Sequence, residues 1–123
     1  MARILIADDD RDYRTVFADG MTLLGHEVDA VDSADAIRIA LTRKTYDIVF
    51  LDLLMPGGGT VTLVHELYFR YPEMPIVVIT GQSGLYDTPL FKEGLRMAKE
   101  VLRKTAPLQS LNATVSRLVP QRK

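Results

Sequence analysis

The chain has 123 residues, of which 47% are hydrophobic and 25% are charged, and its formal net charge at pH 7 is −1. These values fit one globular domain and do not predict a nucleic-acid-binding face, and the absence of cysteine excludes disulfides and thiolate metal sites. Because no signal peptide follows Met1 and no apolar run approaches the ~20 residues of a membrane span, we expect a cytoplasmic protein without a membrane segment.

Short apolar runs alternate with longer amphipathic runs along the chain. The short runs are rich in aliphatic and β-branched residues, which is typical of β-strands. The predicted strands are 4–7, 27–31, 47–52, 75–80 and 100–103. The third of these runs is almost continuously apolar, as expected for a strand that is covered on both faces.

The longer runs carry apolar residues at the spacing of amphipathic helices. The predicted helices are 12–24, a second that begins after Ser33, a third that begins at Thr60, 88–97 and 108–118. Ser33 is a predicted N-cap, and Gly25 is a predicted helix stop. The segments 55–59 and 81–84, which contain several glycines, are predicted loops.

Strands that alternate with helices predict βαβ units and therefore a parallel β-sheet. Right-handed crossovers place helices on both faces of the sheet, which gives an α/β fold, a three-layer doubly wound (βα)5 sandwich. We expect residues 1–123 to form one domain, with 117–123 as a tail or the start of a linker.

Polar residues follow the predicted strands at their carboxyl ends. In doubly wound sheets the functional site lies beyond these ends, where the strand order reverses. The polar residues at these ends are Asp8, Asp9, Asp10, Asp52, Thr80 and Lys104. We therefore expect several carboxylates, a hydroxyl group and an ammonium group to meet at one edge of the sheet.

This set of side chains is suited to phosphoryl transfer. Crowded carboxylates repel one another, and a hard cation such as Mg²⁺, which prefers oxygen ligands, relieves that repulsion. Beside such an ion, Asp52 can attack a phosphoryl group and form an aspartyl phosphate. Lys104 and the metal would neutralise charge on the transferred group, and Thr80 would donate a hydrogen bond to it.

Each of these residues also has a simpler explanation when it is taken alone. The acidic run 8–10 precedes a helix, so one of its carboxylates can be a helix cap. Asp52 can be a turn former, and Thr80 and Lys104 can be an ordinary strand end and a solvated surface charge. The prediction of a phosphoacceptor site therefore depends on their joint placement at the strand ends.

Over essentially its whole length, the chain resembles a response-regulator receiver domain of two-component signalling. The resemblance is carried by the segments 4–10, 47–57, 75–81 and 98–104. The most specific of these is Asp-Ile-Val-Phe-Leu-Asp-Leu-Leu-Met-Pro-Gly at 47–57, which resembles the family's phosphoacceptor strand and loop. The resemblance implies the flavodoxin-like strand order 2-1-3-4-5 of the chemotaxis-type receiver fold.

The resemblance also implies a set of Mg²⁺ ligands. Asp8 and Asp9 match the family's metal-binding acidic pair, and Asp52 matches the phosphoacceptor, which is also a metal ligand. The backbone carbonyl of Leu54 is the expected protein ligand two residues later. Asp10 is expected to cap the following helix or to lie outside the ligands themselves.

Thr80 and Lys104 are expected, by the same resemblance, to contact the phosphoryl group. The chain departs from the family pattern at three nearby positions. Thr105 stands where the family has a proline after a cis bond, which leaves the isomer of the preceding peptide bond open. Val101 replaces an aromatic residue, and Thr60 replaces a glycine.

The resemblance implies that partner proteins complete the reaction. His26 and His65 lie outside the acidic set and are expected to be surface residues, so the phosphodonor histidine must belong to another protein. The expected partners are a sensor histidine kinase or a histidine phosphotransfer protein, and a downstream target or missing output domain. We expect no direct nucleic-acid or membrane binding, and no enzymatic activity beyond autocatalytic phosphorylation and autodephosphorylation.

Three other functions are compatible with the predicted fold. A phosphorylation-independent interaction module is the main alternative. A flavodoxin-like electron carrier would need a phosphate-binding loop after the first strand, where the acidic run 8–10 would repel a phosphate. An aspartyl phosphatase would need a second acid two residues after Asp52, where the chain has Leu54.

Overall fold

Strands and helices alternate along the chain as the apolar pattern predicts. The computed structural model describes residues 1–55, 59–81 and 87–120. The strands are β1 (Arg3–Ala7), β2 (Glu27–Val31), β3 (Ile48–Asp52), β4 (Ile76–Thr80) and β5 (Glu100–Arg103). The helices are α1 (Arg11–Leu23), α2 (Ala34–Arg43), α3 (Thr60–Arg70), α4 (Pro89–Gly94) and α5 (Leu108–Leu118).

The strands form one parallel sheet in the order β2-β1-β3-β4-β5. In the register of this sheet, Leu5 lies opposite Asp29 on one side and Val49 on the other. The chain moves outward in one direction from β1 to β2 and in the other direction from β3 to β5. The strand order therefore reverses between β1 and β3, and this confirms the predicted (βα)5 fold.

Alternate residues of the central strands enter two separate hydrophobic clusters. In β3, Val49 and Leu51 belong to the cluster beneath α2, α3 and α4, whereas Ile48 and Phe50 belong to the cluster beneath α1 and α5. Every residue of β3 is buried, as the nearly continuous apolar run predicts. Two helical layers thus hold the central strands between them.

The predicted helix ends are largely confirmed. The Ser33 hydroxyl accepts a hydrogen bond from the Ala36 backbone N–H at 3.1 Å and caps α2. Gly25 follows α1 with φ 95°, a left-handed conformation that favours glycine. Gly59, with φ 85°, has the same conformation just before α3.

One predicted helix is shorter than expected. The predicted helix 88–97 is α4, which ends at Gly94. Beyond it, N–H groups bond to the carbonyl three residues earlier, as in a 3₁₀-type turn and not four residues earlier as in an α-helix. Examples are Arg96 N–H to Glu93 O at 3.3 Å and Ala98 N–H to Leu95 O at 2.9 Å. The central residues of both predicted loops, 56–58 and 82–86, and residues 121–123 of the predicted tail lie outside the described residues. No helix of the described part of the chain has the length and apolar character needed to cross a membrane.

The expectation that both histidines are surface residues is confirmed only in part, because both are half-buried and hydrogen-bonded. His26 accepts a bond from the Ala2 N–H through Nδ1 at 3.0 Å, so its other nitrogen carries the proton and donates to Asn112 Oδ1 at 2.7 Å. His65 Nε2 lies 2.9 Å from the Gly94 carbonyl oxygen. His26 thus joins the start of β1 to α5, and His65 joins α3 to the end of α4.

We predict that His26→Ala destabilises the fold by about 1–3 kcal/mol, because it leaves the Ala2 N–H without a partner. Asn112→Ala is the graded control, since it removes only the second bond and should cost less. Urea unfolding of both variants measures the difference. A His26→Ala protein as stable as the wild type would contradict this structural role.

Candidate functional site

Three carboxylates meet at the edge of the sheet where the strand order reverses. Asp8 follows β1 and Asp52 ends β3, and together with Asp9 they offer oxygen atoms that all lie within 4.8 Å of one another. Asp8 and Asp52 are buried, with 0% and 4% of their surface exposed, whereas Asp9 is exposed. The acidic site predicted from the sequence is therefore assembled, with one member open to solvent.

The ammonium group of Lys104 lies among these carboxylates. Its Nζ is 2.7 Å from Asp8 Oδ2 and 3.4 Å from Asp52 Oδ2. The backbone N–H of Lys104 donates to the Thr80 carbonyl oxygen at 3.0 Å, which continues the β4–β5 ladder to the functional edge. Lys104 is thus an ion-pair partner of the site and not the solvated surface charge that its residue type alone would suggest.

Backbone bonds fix the orientation of Asp8. Its N–H donates to the Val31 carbonyl at 3.1 Å, and its Oδ1 accepts the Asp10 N–H at 2.9 Å. Arg14 Nη1 donates to the Asp8 carbonyl at 2.7 Å, a contact that the sequence pattern did not predict. Oδ1 is therefore used in a local turn, and Oδ2 faces Lys104.

Asp10 caps α1, as expected. Its side chain accepts the backbone N–H groups of Asp12 at 3.0 Å and Tyr13 at 3.2 Å. These bonds satisfy donors at the first turn that have no partner within the helix. The acidic run is thus divided by role, because Asp10 is used by the helix while Asp8 and Asp9 belong to the carboxylate cluster.

The end of β3 is held by three further bonds. The Thr60 hydroxyl donates to the Asp52 carbonyl oxygen at 3.0 Å, and the Leu54 N–H approaches Asp52 Oδ1 at 3.4 Å. The Leu53 N–H donates to the Ile79 carbonyl at 2.9 Å. Thr60, which departs from the family pattern by replacing a glycine, thus braces the predicted phosphoacceptor strand.

The other two departures have clear positions. The Lys104–Thr105 peptide bond is trans, since no described peptide bond is cis. Val101 is half-buried and packs against the hydrophobic cluster beneath α2, α3 and α4. Thr80, at the end of β4, is buried at the same edge of the sheet as Asp52.

The electrostatics of the site centre on Asp52. Burial and the neighbouring charge of Asp8 raise the pKa of Asp52 from 3.8 to about 7, against the opposing effect of the Lys104 charge. Burial works to lower the pKa of Lys104, but its hydrogen bond to Asp8 and the charges of Asp52 and Asp8 outweigh that effect and raise it. Burial and the charge of Asp8 together therefore outweigh the effect of the Lys104 charge on the pKa of Asp52.

Tyr13 also belongs to the site, although the sequence pattern indicated only a helical position for it. Lys104 Nζ lies 5.1 Å from the centroid of the Tyr13 ring, within the range of a cation–π interaction. Burial, followed by the charges of Asp8 and Asp52, raises the pKa of Tyr13 to about 12. The available signal was its place in the first turn of the helix that follows the acidic run.

The donor set fits Mg²⁺. Its candidate ligands are carboxylate oxygens without histidine or cysteine, and hard divalent cations prefer such ligands. The charge of Asp8 adds to the burial that raises the pKa of Asp52, and a cation bound between the two carboxylates would offset their repulsion. Asp8, Asp9 and Asp52 are therefore suited to hold a Mg²⁺ ion.

A family model described as the response regulator receiver domain matches residues 4–116. The chain belongs to this family. Receiver domains are the phosphoacceptor domains of two-component systems, and the acidic cluster found here is consistent with that function. The flavodoxin-like carrier and the aspartyl phosphatase are set aside by this membership.

Two of the similar proteins share the domain but are longer. The chain is 38% identical over 84 residues to the response regulator protein FleR of Pseudomonas aeruginosa, an alignment that covers 68% of this chain and 18% of FleR. It is 32% identical over 116 residues to the DNA-binding transcriptional regulator NtrC of Azospirillum brasilense, which covers 94% of this chain and 24% of NtrC. The receiver domain thus spans less than a quarter of the length of these relatives.

A solved structure agrees with the whole receiver fold. The response regulator TrrA of Thermotoga maritima, crystallised in complex with Mg²⁺–BeF, superposes with a TM-score of 0.86 at 25% sequence identity. The match covers 97% of this chain and 100% of TrrA. The five-stranded parallel architecture is therefore that of a receiver domain.

We predict that Asp52 lowers the stability of the metal-free protein as pH rises. Because its pKa is raised on folding, the folded state binds the proton more tightly, so stability falls as pH increases from 3.8 through about 7. Asp52→Asn should therefore stabilise the protein more at about pH 8 than at about pH 5. Urea midpoints with a chelator measure this, and Asp19→Asn, at an exposed site on α1, is the control. An equal effect of Asp52→Asn at both pH values would contradict it.

Proposed function

We propose that Asp52 accepts a phosphoryl group in a Mg²⁺-dependent reaction, with a phosphohistidine of a sensor histidine kinase or histidine phosphotransfer protein as the donor. The observation that carries this proposal is the meeting of three carboxylates within 4.8 Å, with the Lys104 ammonium 3.4 Å from Asp52. Membership of the receiver family supports it.

In the proposed reaction, a carboxylate oxygen of Asp52 attacks the phosphorus atom while the phosphorus–nitrogen bond of the phosphohistidine breaks. The bonding electron pair goes to the imidazole nitrogen, which then takes up a proton, and the product is an aspartyl phosphate. Asp52 must be ionised to attack. The neighbouring cations favour that form because opposite charges lower the pKa of a carboxyl group.

The proposed Mg²⁺ ligands are the carboxylates of Asp8, Asp9 and Asp52 and the backbone carbonyl of Leu54. The complex of TrrA with Mg²⁺–BeF supports this assignment, as that protein shares the fold over its full length. When bound, the ion would neutralise negative charge on the transferred phosphoryl group. Because Asp9 is exposed, an ion held there would be accessible to water and phosphoryl oxygens.

Lys104 and Thr80 are proposed to contact the phosphoryl group. Lys104 already lies beside Asp52 on a flexible stem, so its ammonium can move from the carboxylate to a phosphoryl oxygen. Thr80 ends β4, the strand next to Asp52, and its hydroxyl is the proposed donor to a second oxygen. These bonds would form only when Asp52 is phosphorylated, so they would distinguish the phosphorylated site from the unphosphorylated one.

The receiver domain is proposed to act through a downstream protein target or through an output domain of a longer protein. The alternative of an output domain in a longer protein is supported by FleR and NtrC, because this chain covers only 18% and 24% of their lengths. Its net charge of −1 supports neither nucleic-acid binding nor binding to an acidic membrane surface by this domain itself. We place the domain in the cytoplasm, with no activity besides its own phosphorylation and dephosphorylation.

We predict that Asp52→Asn abolishes aspartyl phosphate formation, because the amide lacks the attacking oxyanion. The measurement is the gain of one phosphoryl group in intact-mass spectrometry after incubation with Mg²⁺ and acetyl phosphate. Asp19→Asn makes the same chemical change at an exposed position of α1 and should react like the wild type. If the wild type also stays unmodified, the phosphorylation-independent interaction module replaces this proposal.

We predict that Asp9→Asn weakens Mg²⁺ binding about tenfold, which corresponds to about 1.4 kcal/mol, and slows phosphorylation at limiting Mg²⁺. Stability without metal should change little, because Asp9 is exposed. Asp12→Asn is the control, since Asp12 is exposed in the first turn of α1 but lies outside the carboxylate cluster. Calorimetric Mg²⁺ titration tests this, and equal affinities of the two variants would remove Asp9 from the ligand set.

A further inference from the structure

Among the described residues, two kinds of group surround the ammonium group of Lys104. Asp8 Oδ2 and Asp52 Oδ2 are anionic and lie 2.7 Å and 3.4 Å from Nζ. The other kind is the Tyr13 ring, whose centroid is 5.1 Å from Nζ. Under the proposed function both carboxylates take part in binding Mg²⁺ or the phosphoryl group, whereas the uncharged ring is a ligand of neither.

The ring is firmly held by the surrounding fold. The centroids of Tyr13 and Phe17 are 6.3 Å apart, and Phe17 meets Phe50 of β3 edge-on at 5.0 Å. Phe17 and Phe50 are fully or almost fully buried. The backbone of Tyr13 is fixed as well, because its N–H is bonded to the capping side chain of Asp10. The position of the ring is therefore set by the same helix start and strand that carry the acidic site.

We propose that Tyr13 is a positioning residue of the phosphoacceptor site, whose ring face holds the Lys104 ammonium beside Asp52 when Asp8 is engaged by the metal. This inference rests on the proposed function of Asp52 and concerns the control of its lysine.

The physical need for such a support follows from the lysine side chain. A lysine ammonium lies at the end of a flexible stem and loses rotamer freedom when it is held in one place. Among the described residues, the carboxylate nearest to Nζ is that of Asp8, at 2.7 Å, and Asp8 is also a proposed metal ligand. An aromatic face attracts a cation without any formal charge, so it does not compete for Mg²⁺ or repel a phosphoryl group.

The hydroxyl group of Tyr13 is not the source of this effect. The hydroxyl oxygen is buried and makes no hydrogen bond among the described residues. Removing a buried polar group that has no partner does not destabilise a fold. Tyr13→Phe therefore keeps the proposed interaction, while Tyr13→Leu removes it. Tyr13→Met, which fills a similar length without a ring, is the second variant if Tyr13→Leu does not fold.

The first measurement does not depend on phosphorylation. In metal-free protein, a methylene group next to Nζ and over an aromatic face resonates upfield, so the Lys104 side-chain protons should be shifted upfield in the wild type and in Tyr13→Phe. In Tyr13→Leu or Tyr13→Met they should return to ordinary lysine values. Tyr68→Leu, which removes a ring on α3, is the control and should leave the Lys104 signals unchanged.

The second measurement is the rate of phosphorylation by acetyl phosphate at saturating Mg²⁺. Tyr13→Leu or Tyr13→Met should react roughly three- to tenfold more slowly, as expected for the loss of one cation–π contact. Tyr13→Phe should react at the wild-type rate, because it keeps the ring and loses only the hydroxyl. The control Tyr68→Leu should also react at the wild-type rate.

The outcomes separate this inference from the proposed function. If the Lys104 signals do not respond to loss of the ring, the positioning role is wrong, whatever the rates are. If Tyr13→Phe is as slow as Tyr13→Leu, the hydroxyl acts instead of the ring and the inference is overturned. If Asp52→Asn is phosphorylated like the wild type, the proposed function is wrong. The Lys104 proton signals still decide whether the Tyr13 ring contacts the lysine.

Discussion

The crowding of Asp8, Asp9 and Asp52 at the point where the strand order reverses is the constraint on which the rest of this site depends. Their oxygens lie within 4.8 Å of one another, and two of the three side chains are buried. Such an arrangement raises the pKa of Asp52 to about 7 despite the nearby Lys104. The site is therefore charged in a way that favours binding of a cation, and this demand connects the fold to Mg²⁺-dependent chemistry.

The hydrophobic core keeps the mutually repelling carboxylates close together. The central strands are buried on both faces, and their alternate residues enter two separate hydrophobic clusters. Backbone bonds at the functional edge, such as that from the Thr60 hydroxyl to the Asp52 carbonyl, fix the strand ends directly. Local repulsion is thus held in place by apolar packing, as in many functional sites that are less stable than their surroundings.

The parts of the site that could be predicted are those that depend on strand ends. Asp8, Asp52, Thr80 and Lys104 follow or end apolar runs, and parallel strands bring such positions to one edge. Tyr13 could not be assigned in this way, because its proximity to Lys104 depends on the angle at which α1 packs on the sheet. The hydrogen-bonded positions of His26 and His65 were likewise missed, since their partners Asn112 and Gly94 are distant in the chain.

The sequence by itself determined the strands, most helix boundaries, the parallel (βα)5 class and the acidic edge, because hydrophobic periodicity and capping residues act over short distances. The tertiary structure decided which carboxylate faces Lys104, how far each is buried, and that α4 ends at Gly94. It also decided that the Lys104 ammonium lies over the Tyr13 ring. These features depend on distances between side chains of separate elements, which only the packing of helices on the sheet sets.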